Sequence, residues 1–230
     1  MRRGVVIPAA GVGKRLGGET PKQFVEVGGE TILARAVGVF ERNDRIDEIV
    51  AVVSRSRVEE TQTTLRRGGF RKVVAVVEGG SERHESVRNG VAALSLADDD
   101  LVAVHDAARP LLPAETLDRA LDAAEDTGGA VVCLRARDTL MKSVGAEISH
   151  PNRRDFFYVQ TPQIFRRGDL LRAFAQAAER GETPTDESSM MNAFGATFAL
   201  VEGSPLNFKV TSPEDLLLLR ALLAYGVTNP

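Results

Sequence analysis

Tryptophan is absent from the 230 residues, and cysteine and histidine are scarce at one and three. The lone cysteine, Cys133, forms no intrachain disulfide, and its place in the apolar run 130–134 makes it a small buried hydrophobe. Nothing in so thin a supply of thiol and imidazole supports a metal cluster, a disulfide framework or an oxidising compartment. No apolar run is long enough to span a bilayer, and Met1-Arg2-Arg3 leads straight into a short strand, which excludes a recognisable signal peptide. A cytoplasmic protein that does not bind membranes is expected. A dominant charge sign is missing too. Lys and Arg number 29 against 32 Asp and Glu, a net charge of −3, so no overall basic field exists to hold nucleic acid. What remains is an ordinary globular composition, 43% hydrophobic and 27% charged, on a chain long enough to bury one sizeable core.

Short runs rich in Val and Ile at 5–9, 49–53, 73–77, 101–105 and 130–134 read as strands buried on both faces. Helical patterns lie between them. In 31–42, Ile32, Ala36, Val37 and Phe40 share one face, and helices also suit 58–67, 85–96 and 113–127, the last with Pro113 at its start. Such alternation predicts an α/β, Rossmann-like fold: a mostly parallel sheet flanked by helices on both faces. Residues 137–160 break the pattern with polar turn material around Gly145 and His150-Pro151-Asn152, and predict a β-arm leaving the sheet. Helices at about 166–180 and after Thr185-Asp186-Glu187, strands at 197–201 and 207–210, and a last helix capped by Thr211 or Ser212 complete the expectation. With no repeat and no long linker, residues 1–230 read as one domain with a projecting arm.

The segment VVIPAAGVGKRLGGETPKQF carries the first chemical signal. A buried strand runs into Pro8, Ala9 and Ala10, then glycines at 11, 13, 17 and 18, with Lys14, Arg15 and Lys22 nearby. Ligands in parallel α/β sheets sit beyond the carboxyl ends of strands, where small residues let backbone N–H groups approach phosphate oxygens. A Walker A loop is excluded: Gly13-Lys14 is followed by Arg15 instead of Ser or Thr, and Pro8 stands where the first glycine belongs. A dinucleotide fingerprint is excluded by Leu16 at its third glycine position. Three cations around the loop favour a phosphate site over a solvated turn.

Asp106, in HDAARP, stands at the end of a buried strand, a position that favours holding magnesium or a ribose hydroxyl over a turn-stabilising pair with Arg109. His105 has no second histidine placed to make it a metal ligand. The run Gly79-Gly80-Ser81-Glu82-Arg83, with Ser86 beyond it, fits either a slot for a flat ring or a capped strand-to-helix turn, and spacing alone does not choose. Lys209 in a strand-like alternation, and the pair Arg153-Arg154, read most simply as solvated.

Together PAAGVGKRLGGETPKQF, GGSERHESV, HDAARP, RDTLMK, TPQIF, TDESS and NFKVTSPEDL fall in the order and spacing of one family. The chain resembles the 2-C-methyl-D-erythritol 4-phosphate cytidylyltransferases of non-mevalonate isoprenoid biosynthesis, from Val5 to about Leu223. Sister enzymes acting on ribitol 5-phosphate share much of the pattern, and a non-catalytic nucleotide-binding module on the same fold is the rival from another class. The length predicts the monofunctional form, without a fused cyclase. The resemblance implies attack by the phosphate of methylerythritol phosphate on the α-phosphorus of CTP, with Mg2+ or another divalent cation organising the triphosphate. It places Pro8, Ala9, Ala10, Gly11, Gly13 and Lys22 around the nucleotide, and Gly80 and Ser86 at the cytosine. It puts Asp106 by ribose and metal, and Arg109, Thr139, Arg153, Thr161, Thr185 and Lys209 on the substrate side. Arg15, Lys22, Arg153 and Lys209 become the catalytic cations, which reverses the solvated reading of Arg153 and Lys209. Thr139 and Arg153 lie in an arm that the family contributes from a partner subunit, so a homodimer is expected. Arg154 replaces Arg153 if the arm alignment slips by one.

Overall fold

The computed structural model describes residues 1–11 and 21–227. The phosphate-loop residues Gly13, Lys14 and Arg15 lie outside them. Seven strands form the main sheet: β1 (Arg3–Pro8), β4 (Glu48–Val53), β5 (Val73–Glu78), β6 (Leu101–Val104), β7 (Gly129–Arg135), β10 (Phe157–Arg166) and β11 (Ala199–Glu202). Their order is β11-β7-β10-β6-β1-β4-β5. Every neighbouring pair is parallel except those made by β10, which runs antiparallel to both β6 and β7. The α/β, mostly parallel sheet expected from the strand–helix alternation is what the chain forms.

Alternation along each strand sorts the core into two layers. Val5, Ile7, Ile49, Ala51, Leu101 and Ala103 face α1 (Ile32–Glu41), α2 (Val58–Arg67) and α4 (Ala114–Thr127). Val6, Val50, Val52, Val102 and Val104 face α3 (Arg83–Ala92), α5 (Arg167–Glu179) and α6 (Glu187–Phe194). On α1, Ile32, Ala36, Val37 and Phe40 are all fully buried, and Thr31 caps the helix by accepting from the Ala34 N–H at 3.1 Å. Gly90 of α3 lies so close to Val6 and Val52 that a Cβ there would overlap both, so α3 packs directly on the sheet. A third apolar cluster joins α7 (Pro213–Ala224) to the ribbon of β2 (Glu26–Val27) and β3 (Glu30–Thr31), through Val27, Ile32, Val210 and Leu219. Ser212 caps α7 in a reciprocal pair with Asp215.

Three expectations are corrected. Residues 207–210 are not a strand: Asn207 sits in a bend and the segment runs irregularly to α7, tied by the Val210 N–H to Ala108 O at 2.8 Å. Strand β5 is not buried on both faces, because it ends the sheet and leaves Val74 half exposed. Strand β10 was not anticipated, because Pro162 and the polar residues Gln160, Thr161 and Gln163 interrupt its apolar pattern. Its pairing with β7 shifts register between Val159 and Gln163, so the missing N–H of Pro162 falls where the ladder is broken.

The arm leaves the sheet as a hairpin of β8 (Lys142–Val144) and β9 (Glu147–Ser149), every residue of which is exposed. Gly145 turns it with φ +60°, as a two-residue hairpin loop requires. Among the described residues no helix is long and apolar enough to cross a membrane.

Candidate active site

The loops at the carboxyl ends of β1, β5 and β6 open onto a cleft of about 430 Å³, lined also by Lys22, Gln23, Lys209 and Thr211. Strand β1 lies between β4 and β6, so the chain builds outward to β5 and then returns to the other side of β1. That reversal parts the loops and creates the crevice where such sheets take ligands.

Pro8, Ala9, Ala10 and Gly11 form one wall. The Ala9 N–H still bonds Val52 O at 2.6 Å, extending the ladder, before the chain departs. Gln23, buried beneath the loop, donates from Nε2 to the carbonyls of Ala9 and Gly11. Those two acceptors are thereby satisfied internally. Lys22 projects beside it, its Nζ donating to Val210 O at 3.0 Å.

The facing wall is Gly80 to Arg83 with Ser86. Ser86 Oγ accepts from the Gly80 N–H at 3.1 Å, and Glu85 accepts from Ser81 and Glu82 N–H groups at 2.7 and 3.1 Å, so the turn is rigidly bonded. A Cβ on Gly79 would meet Ala10 Cβ at 2.5 Å and Ser86 Oγ at 2.7 Å. Glycine is what lets the two walls approach. The segment is a capped turn, as one of its two readings has it, and it also borders the cleft.

Asp106 is the electrostatic centre. Its Oδ2 is 2.9 Å from Lys209 Nζ and 3.5 Å from Arg109 Nε, and its Oδ1 is 3.4 Å from Arg83 Nη2. Burial works to raise this carboxyl, but Lys209, Arg83 and Arg109 hold it well below the usual carboxylate range. It stays ionised. Arg109 is pulled down by burial, with Asp106 opposing.

Behind Asp106 lies His105, fully buried, with its ring edge-on to Phe40 at 5.1 Å. Burial pushes the imidazole down to about 4, so it is neutral. Its Nε2 lies 3.0 Å from Arg109 O, which only accepts, so Nε2 carries the proton and Nδ1 accepts from the Thr161 hydroxyl at 3.1 Å. Thr161 Oγ1 in turn accepts from the Asp106 N–H at 3.1 Å. His105 is thus structural: with Thr161 it holds the Asp106 backbone.

Of the expected residues, Pro8, Ala9, Ala10, Gly11, Lys22, Gly80, Ser86, Asp106 and Lys209 come together on the cleft. Arg109 and Thr161 adjoin it through Asp106. Thr139 and Arg153 do not line it; both are exposed on the arm. Arg153 Nη1 bonds Arg137 O, and the Arg154 carbonyl takes Arg135 Nη1 at 2.7 Å. Thr185 is exposed and borders a separate hollow between α5 and α6. Gln23, Arg83, Glu187 and Asn207 went unassigned in the sequence. Asn207, fully buried, donates to Thr161 O at 2.7 Å and takes Arg109 Nη1 on its carbonyl at 2.8 Å, which anchors the Lys209 segment beside β10.

The profile of the family described as 2-C-methyl-D-erythritol 4-phosphate cytidylyltransferase matches residues 4–225. A protein of that name from Neisseria meningitidis serogroup C is 42% identical over 225 residues, covering 95% of this chain and 96% of its own. The crystal structure of 2-C-methyl-D-erythritol 4-phosphate cytidylyltransferase from Thermus thermophilus superposes with a TM-score of 0.79 at 35% identity, over 96% of this chain and 98% of that one. A crystal structure of 4-diphosphocytidyl-2C-methyl-D-erythritol synthase from Anaerococcus prevotii reaches a TM-score of 0.86 at 25% identity, over 97% and 96%. Likeness of sequence and of fold extends over nearly the whole length, and on it this chain belongs to the 2-C-methyl-D-erythritol 4-phosphate cytidylyltransferase family.

Proposed function

We propose that the chain joins CTP and 2-C-methyl-D-erythritol 4-phosphate, giving 4-diphosphocytidyl-2-C-methyl-D-erythritol and pyrophosphate in non-mevalonate isoprenoid biosynthesis. Family membership supplies the substrates. The observation that carries the chemistry is the shell of Lys209, Arg83 and Arg109 around Asp106, in the cleft that also exposes the end of β1.

An oxygen of the acceptor phosphate attacks the α-phosphorus of CTP, the bond to the bridging oxygen breaks, and pyrophosphate leaves with that electron pair. The nucleophile is already ionised at neutral pH, so no general base is needed. His105, neutral and buried away from the cleft, suits that chemistry. The protein's work is to align two anions and offset their repulsion. Pro8 to Gly11 and Gly13 cradle the nucleotide, Gly80 and Ser86 meet the base, and Asp106 meets the ribose side. Lys22 and Arg15 stabilise charge developing at the α-phosphate, while Lys209 and Arg109 receive the acceptor phosphate.

Magnesium fits this donor set as an ion held mainly by the triphosphate. Asp106, an ionised carboxylate on the cleft, is the side chain that would add an oxygen ligand to the ion. When bound, the ion neutralises phosphate charge.

The arm favours a homodimer in a cytoplasmic enzyme. Met141, Val144 and Ile148 are 64, 61 and 60% exposed there, apolar side chains on both faces of the hairpin that a second subunit wrapping it would cover. Thr139 and Arg153 would then reach the partner's cleft.

The test is pyrophosphate release from CTP with and without a polyol phosphate. Release that requires the acceptor is expected; CTP binding without any release would leave a non-catalytic nucleotide-binding module.

A further inference from the structure

A second carboxylate stands behind the cleft wall. Glu187 opens α6 with its side chain 1% exposed, and it accepts from both terminal nitrogens of Arg83, Nη1 at 2.7 Å and Nη2 at 3.0 Å. This is the two-point geometry by which a carboxylate fixes the plane of a guanidinium. The same Nη2 points its other hydrogen toward Asp106 Oδ1 at 3.4 Å. Arg83 lines the cleft and Glu187 does not.

Glu187 is itself held from both sides. Gln163 donates to Asp186 Oδ2 at 3.1 Å and accepts from the Ser188 N–H at 2.7 Å, bracketing Glu187 with one amide. Gln163 lies on β10 opposite Val104, the last residue of β6 before His105 and Asp106. The anchor of Glu187 and the strand that carries Asp106 are thus one rigid piece. Burial pushes the Glu187 carboxyl up while Arg83 pulls it back; for Arg83, the two carboxylates more than offset burial and hold its proton more firmly.

A buried ion pair contributes little stability beyond what apolar side chains of the same volume would give. Its physical consequence here is orientation. Arg83 has two anions to serve, and Glu187 takes the near-ideal contacts and leaves Asp106 the long one. Without Glu187, Arg83 would close on Asp106 Oδ1, or on the phosphates of a bound nucleotide, and the carboxylate would turn away from its present setting.

We propose that Glu187 is a positioning residue: acting through Arg83, it sets the Asp106 carboxylate for the nucleotide. The proposal rests on the reading of the cleft as a CTP site. Four proteins test it: wild type, Glu187→Gln, Arg83→Gln and the double variant. Glu187→Gln should raise KM for CTP about tenfold, the loss expected for a charged hydrogen bond set wrong, with smaller changes in kcat and in KM for the acceptor phosphate. The double variant should be no worse than Arg83→Gln alone. An unchanged CTP KM in Glu187→Gln, or single effects that multiply in the double variant, overturns the proposal. Should Glu187→Gln fail to fold, Arg83→Gln decides, since an unchanged CTP KM there removes the link to Asp106. Calorimetric Kd for CTP across the same proteins gives the cycle without turnover. A wild type that binds CTP yet releases no pyrophosphate therefore defeats the enzymatic reading and leaves this one to be judged separately; a wild type that binds no CTP defeats both.

Discussion

Lys209 Nζ and Asp106 Oδ2 meet at 2.9 Å, from segments over one hundred residues apart in the chain. Asp106 is fixed at the end of β6 by the Thr161 hydroxyl, while Lys209 is carried on an irregular segment before α7 with its side chain 38% exposed. The carboxylate therefore holds an ammonium group at the cleft without burying it. On the proposed function, an arriving phosphate would compete with Asp106 for that ammonium.

Lys209→Ala and Lys22→Ala should each lower turnover about a hundredfold, roughly 3 kcal/mol of barrier, with the fold retained. Arg15→Ala should behave alike. Steady-state pyrophosphate release beside thermal melts checks this; turnover within a few-fold of wild type would remove the residue concerned from the catalytic set.

Asp106→Asn leaves Lys209, Arg83 and Arg109 around a neutral amide. The expected loss is on the order of 3 kcal/mol in urea unfolding, because Arg109, with a side chain only 11% exposed, loses its counter-charge, together with weakened CTP binding. An equally stable variant would show that the cluster is hydrated enough to need no carboxylate.

His105 makes stability depend on pH. Burial holds it at about 4 in the folded chain against about 6.5 unfolded, so the unfolded chain binds the extra proton between those values. The stability from a neutral His105 is whole above pH 6.5 and falls by about 1.4 kcal/mol per pH unit below it, roughly 3 kcal/mol in all by pH 4. Glu187, pushed up by burial, contributes a slope of opposite sign in wild type and variant alike. The difference in unfolding free energy between wild type and His105→Gln should therefore shrink as pH drops from 7 to 4. A constant difference would contradict the neutral, buried imidazole.

Sedimentation equilibrium should return the mass of a dimer. Ile148→Asp, on the exposed hairpin, should give a folded monomer of much lower activity. A fully active monomer would dissociate the arm from the site.

The parallel half of the fold was legible because strands buried on both faces read as unbroken apolar runs, and the last helix because Thr211-Ser212-Pro213 marks a start with local chemistry, Ser212 being the cap. Strand β10 was not, since Pro162 and three polar residues hide a strand whose irregularity accommodates them. On the site, motif order placed Asp106 and Lys209 on one cleft although the local pattern around Lys209 suggested a solvated strand. Glu187 leaves no signal in the sequence because its partner Arg83 lies 104 positions away, and no spacing within TDESS or GGSER marks that pairing. Long-range ion pairs leave no periodic trace.

The reaction proposed for this chain is the transfer of a cytidylyl group to one particular acceptor. Its most direct test is kcat/KM for 2-C-methyl-D-erythritol 4-phosphate beside ribitol 5-phosphate, at saturating CTP and magnesium, with UTP and ATP as base controls. The expected result is strong preference for 2-C-methyl-D-erythritol 4-phosphate and for CTP. Equal or greater efficiency with ribitol 5-phosphate, or turnover indifferent to the base, would contradict it.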